Sequence, residues 1–137
     1  MSTSVSLLRD GLAANAATIS GLRAADTVPD NPNPPIAVVI PDGIEYRAAF
    51  NGAMSRYSFI VLVIVGRADD RTAQDRLDGY CSTTGSSSVP TALESDTTLN
   101  GAAFDLEVTE MRNYRQLALS DGTTYLAAEF VVSVIAQ

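Results

Sequence analysis

The chain has no histidine, no lysine and no tryptophan, and one cysteine among 137 residues. Each absence closes a route. Without histidine, no side chain titrates near neutrality at its ordinary pKa. Without lysine there is no Schiff-base chemistry, and with neither histidine nor a second thiol nearly every transition-metal site is out of reach. A lone cysteine cannot close an intrachain disulfide, so the fold does not call for an oxidising compartment. The longest apolar run, Phe59 to Val65, falls far short of a membrane span. The opening MSTSVSLLRD has no basic region followed by a sustained apolar stretch, so no secretion signal is expected and a cytoplasmic origin is.

What is present suits shape and assembly better than catalysis. An apolar share of 46% with 18% charged residues is that of a globular chain, and 137 residues make one domain with one proper core. Sixteen acidic residues against nine arginines leave a formal charge of −7, with a sequence pI near 4.3. Such a balance opposes a grip on phosphates, and suits a soluble surface or a lumen that lets DNA pass. That every cation is arginine is explained most simply by a GC-rich coding genome.

Ser4 stands before a helical pattern of Val5, Leu8, Leu12 and Ala16, with Leu7 on its flank, Gly11 in its middle and Gly21 beyond its end at Ile19. Arg23 to Val28 reads as a short strand. Four prolines fall within Pro29–Pro35, which forbids helix and removes ladder donors, so a stiff extended loop is expected. Ile36 to Ile40 reads as a short buried strand closed by a Pro41-Asp42-Gly43 turn. Asn51-Gly52 is a favoured type I′ hairpin turn; a two-residue turn sets Phe50 opposite Ala53, Arg47 opposite Arg56 and Tyr46 opposite Tyr57. Tyr57 to Val65 has almost no polar alternation and reads as a strand buried on both faces.

After Gly66-Arg67-Ala68, Asp69 or Asp70 caps a helix with the apolar stripe Ala73, Leu77, Tyr80 and Cys81, and with Arg71 and Asp75 spaced to pair. Ser88 caps a short helix that has Pro90 in its first turn and runs to Glu94. Phe104 to Thr109 alternates, with Phe104, Leu106 and Val108 on one face and Asp105, Glu107 and Thr109 on the other. Ser120-Asp121-Gly122-Thr123 turns into a last strand, Tyr125 to Ala136. Leu126, Phe130, Val132 and Val134 share one face of it; Tyr125, Glu129, Val131 and Ile135 share the other. This order predicts an α+β fold, a single mixed, mainly antiparallel β-sheet with two to three helices packed on one face.

Catalytic readings find little to hold. Cys81 lies on an apolar stripe with no histidine to activate it, which is the setting of a structural thiol. No phosphate-cradling, dinucleotide-binding or nucleophile-elbow motif occurs. Asp69 and Asp70, near Asp75 and Asp78, have the chemistry of a hard-cation site, but a cap and a solvated helix face explain them more cheaply. Asp105, Glu107 and Glu110 offer carboxylates for a glycosidase dyad, yet Asp105 and Glu107 are neighbours on one strand and no aromatic platform accompanies them. A small hydrolase or ligand-binding domain using this acidic face is the distant alternative.

The hairpin poses a different question. Arg47 and Arg56 directly across a ladder repel. Either Glu45, diagonal to Arg56, neutralises them, or the hairpin reaches carboxylates of another chain. The apolar excess of Tyr57–Val65 and Tyr125–Ala136 also exceeds what three short helices hide, so either the 30–35 loop or a neighbouring subunit covers the second face.

Nearly the whole chain resembles the tail terminator family of long-tailed phages of GC-rich actinobacterial hosts. The similarity lies in LRDGLAANAATISGLRAADTVPDNPNPPIAVVIP, SRYSFIVLVIVGRADDRTAQDRLDGY and SSSVPTALESDTTLNGAAFDLEVTEMRNY, in that order. The resemblance implies a structural virion protein without catalytic residues or cofactors. In this family a ring of six copies caps the head-proximal end of the tail tube, stops its growth and joins it to the head connector. The implied partners are further copies of the chain, the major tail tube protein and the head-to-tail connector or stopper protein, with DNA only as passing cargo and no membrane. Neighbouring neck, connector and tail-tube proteins of similar size are the nearer alternatives. Interface candidates are read from the residues themselves: the stiff loop Asp30, Asn31, Pro32, Asn33 and Pro34; Arg47, Asn51, Gly52 and Arg56 on the hairpin; and Arg67, Asp69 and Asp70 after the central strand. Asp70 has a competing reading as a simple helix cap.

Overall fold

A computed structural model describes residues 5–19, 22–25, 35–46, 55–67, 71–99, 101, 103–118, 122 and 124–136. The elements, in chain order, are α1 (Val5–Ala16), β1 (Arg23–Ala25), β2 (Ile36–Glu45), β3 (Ser55–Arg67), α2 (Arg71–Tyr80), α3 (Val89–Leu93), β4 (Asp105–Ala118) and β5 (Thr124–Ala136). They form one five-stranded sheet in the order β1-β2-β3-β5-β4. Only β1 and β2 run parallel; every other pair is antiparallel. The architecture is the α+β sheet that the element pattern predicts.

Alternation along the two central strands decides what lies on each side. Tyr57, Phe59, Val61, Val63 and Val65 of β3 join Ala128, Phe130, Val132, Val134 and Ala136 of β5 on one face. Onto that face pack Leu8, Leu12 and Ala16 of α1, Ala73, Leu77 and Tyr80 of α2, and Val89, Ala92 and Leu93 of α3. Each large side chain fully buried there contributes about 1.5–3 kcal/mol. The other face carries a smaller buried cluster at one end: Ile36, Val38, Ile64, Tyr125 and Ala127. Further along, Ile40, Ile60, Leu62, Val131 and Ile135 on this face are only half-buried. Residues 57–65 are therefore sealed on the helix side and sealed on the other side only near Ile64, a correction to burial on both faces.

Three further expectations are corrected. Pro41-Asp42-Gly43 is not a turn: β2 runs through it to Glu45, with a register shift between Pro41 and Gly43. Among the described residues β1 pairs β2 only as far as Val38, and no described strand flanks Pro41 on that side, the edge-like setting in which strand prolines and bulges occur. The hairpin register also differs by two residues. Glu45 lies opposite Arg56 and Ile44 opposite Tyr57, so Arg56 faces a carboxylate and not Arg47. Phe104 precedes the strand and is 70% exposed, because the ladder begins only at Asp105. The strand expected to end at Thr109 continues to Ala118.

Buried polar contacts tie the helices together. Asn15 of α1, buried, donates from Nδ2 to the carbonyl of Leu93 at 2.9 Å and to that of Asp96 at 3.0 Å. Ser88 caps α3: its Oγ accepts from the Thr91 N–H at 3.2 Å and donates to the Ser82 carbonyl at 2.6 Å. Pro90 occupies the first turn of α3, where its missing N–H costs nothing.

Candidate assembly surfaces

Strand β4 is the edge strand beyond β5, and its two irregularities decide what it presents. Strict alternation from Asp105 would send Glu110 and Arg112 to the helix side. A register shift between Val108 and Glu110 instead sets Glu110 opposite Val131 and Arg112 opposite Glu129. A second shift, between Arg112 and Arg115, sets Arg115 opposite Ala127. Asn113 takes a left-handed φ of 56° in that second shift, a conformation asparagine tolerates better than most residues. The register thereby sets all five charges of β4 opposite residues of the helix-free face of β5, with Glu110, at the first shift, also bordering the groove behind.

On this face Glu129 is the hub. It is 16% exposed and accepts from Asn113 Nδ2 at 2.9 Å; Arg112 Nε lies at 3.5 Å and Arg115 Nη2 at 3.8 Å. Two guanidiniums around one carboxylate leave a positive charge in excess. Asp105, Glu107 and Glu110, at the other end of the strand, have no ion-pair partner among the described residues. Two main-chain donors of β4 are bonded to carboxylates and not to another strand: Leu106 N–H to Asp105 Oδ1 at 2.9 Å and Val108 N–H to Glu94 Oε2 at 3.1 Å. Such protection of an edge discourages continuation of the sheet by a stray strand.

The helix side of the same strand holds a groove of about 270 Å³, lined by Cys81, Thr83, Pro90 and Phe130 and, along β4, by Val108, Thr109, Glu110 and Met111. Burial, reinforced by the Asp78 charge, pushes the Cys81 thiol up to about 11, so at neutral pH it is a protonated apolar lining group and not a nucleophile. Further along β4, Tyr114 donates from its hydroxyl to Asp78 Oδ1 of α2 at 2.8 Å. Desolvation, then that hydrogen bond and the neighbouring charges of Asp78, Cys81 and Asp75, push the phenol up to about 12. Asp78 is thus engaged with Tyr114.

No family model matches this chain, and no curated protein matches it either. The surfaces therefore have to be read from their own geometry.

Of the interface candidates, Asp30, Asn31, Pro32, Asn33, Pro34, Arg47, Asn51, Gly52, Asp69 and Asp70 lie outside the described residues. Arg67 ends β3, its backbone opposite Tyr125. Arg56 is exposed, and its Nη1 lies 3.2 Å from Glu45 Oε2. The expected neutralisation by Glu45 is present, across the ladder and not along a diagonal. At the same end of the sheet Ile44 and Tyr46 stand exposed, Tyr46 at 72%. The charged row of β4 beyond Glu110 and the groove behind it were missed by sequence reasoning. The signal was a charge spacing of 105, 107, 110, 112 and 115, which fits neither a two-residue nor a helical period and so reads as a loop unless bulges are allowed.

Proposed function

We propose that this chain is a structural virion protein, a tail terminator whose copies close into a ring on the head-proximal end of a phage tail tube and join it to the head connector. The observation that carries the reading is the one-sided sheet. Its described helices pack on one face, while on the other Ile40, Ile60, Leu62, Val131 and Ile135 are only half-buried. A self-sufficient enzyme covers such a row or turns it into a cleft with convergent polar groups. A subunit keeps it for a neighbour. The ordered likeness of three long segments to the terminator family, the acidic balance that suits a lumen for DNA, and the absence of histidine and lysine all favour the same reading. Its site of action is then the virion neck.

The test is tube growth. Purified tube protein polymerising in the presence of this chain should give tubes of arrested length, with rings at one end visible by electron microscopy. Tubes that grow unchecked, with the chain free in solution, would reject the terminator role. Co-polymerisation of the chain along the tube wall would assign it instead to the tube.

A further inference from the structure

We propose that a second copy of this chain packs on the helix-free face about a two-fold axis, with the two β4 strands antiparallel. Along that face the charges of β4 run Asp105, Glu107, Glu110, then Arg112, Arg115. The first half is acidic and the second basic. A row in that order is complementary to itself turned end for end. With Met111 on the axis, Glu110 meets Arg112 of the second copy and Glu107 meets its Arg115, and symmetry repeats each pair. A parallel placement sets like charges together.

Three observations argue against a merely solvated row. The two bulges of β4 act together to bring all five charges to one face, where an unbroken strand would divide them. The charges are unbalanced within the chain: Glu129 alone answers Arg112 and Arg115, and the acidic end has no cation paired to it among the described residues. Beside the row lie the half-buried Ile60, Val131 and Ile135, so an apolar centre adjoins a charged rim, the anatomy of a docking surface. The contact is made face to face through side chains. Edge-to-edge ladder pairing is disfavoured, since the N–H groups of Leu106 and Val108 already have carboxylate partners. This inference rests on the same open face as the ring reading, and where a two-fold partner takes that face a ring closes through other surfaces. Ring closure joins two different patches, whereas a two-fold contact uses one patch twice.

The test is sedimentation of the full chain across a concentration series. The wild-type chain should form reversible dimers, or pairs of rings if rings form, and high salt should weaken the association about tenfold or more. Glu107→Arg with Glu110→Arg leaves the Glu129 cluster intact and should not self-associate through this face. Arg112→Glu with Arg115→Glu should fail likewise, and an equimolar mixture of the two double variants should give one-to-one heterodimers. If circular dichroism shows the arginine variant unfolded, the glutamate variant decides alone. A wild-type chain without any two-fold species, or association unchanged by the glutamate variant, would overturn the proposal. Rings of the same mass in the wild type and in that variant would overturn it too, while leaving the ring reading in place.

Discussion

At the scale of single residues, the side chains that matter most are small or polar and buried. Asn15 satisfies two carbonyls at once, those of Leu93 and Asp96, from within the core. Asn15→Leu removes both bonds, leaving the Asp96 carbonyl to the Leu99 N–H, and urea denaturation should show a loss of roughly 1–3 kcal/mol. Gly11 sits in the middle of α1, where alanine is ordinarily better by about 1 kcal/mol. Here a Cβ would lie 2.8 Å from the Cβ of Leu99, so Gly11→Ala should instead cost roughly 1–2 kcal/mol through overpacking. Leu99→Ala should not rescue it, because the offending atom remains. The raised Cys81 thiol gives a pH signature. Its folded value of about 11 lies above that of an ordinary thiol, so the folded state holds a proton that the unfolded state releases. Stability from this group is complete below pH 9 and is lost as pH rises towards 11. Thermal melts should fall more steeply over that window in the wild type than in Cys81→Ala, and a disulfide reagent should label Cys81 far more slowly than a free thiol at pH 8.

At the scale of elements, legibility followed local pattern. The Ser88 cap of α3, the apolar stripes of α1 and α2, the alternation of β5 and the order of the elements are visible in the sequence, because each rests on neighbours within a few positions. What was hidden depends on partners far along the chain. Pro41 reads as a turn until β2 is seen to run through it, beyond the last β1 partner among the described residues. The hairpin register was read from Asn51-Gly52 alone, whereas the ladder pairs Glu45 with Arg56. The second half of β4 has no period to read, since its bulges are fixed by pairing with β5. The Arg56–Glu45 pair is exposed and worth less than about 1 kcal/mol, so Arg56→Glu should leave the melting temperature nearly unchanged. A larger effect of that substitution on assembly than on melting would place the hairpin in a contact between copies. Ser88→Ala, which removes both a cap and a hydrogen bond to Ser82, should cost about 1–2 kcal/mol.

At the scale of the whole molecule, the buried core lies on the helix side, and the opposite face carries a smaller buried cluster at the end marked by Val38, Ile64 and Ala127. The rest of that face carries half-buried isoleucines and the ordered charges of β4, and it is there that we propose a second copy docks. The candidate surfaces of the sequence stood on loops and turns, chosen for stiffness and charge. The surface now described stands on strands and exists only because bulges redirect their side chains, which is why composition and periodicity passed over it.

The central claim is that copies of this chain associate into a closed ring when offered a tube end. The most direct measurement is the mass of the purified chain, alone and mixed with short tubes of its tube protein, by light scattering or native mass spectrometry. The account predicts discrete ring species or ring-capped tubes of fixed stoichiometry in the mixture. A chain that stays monomeric beside intact tubes at every concentration would contradict it.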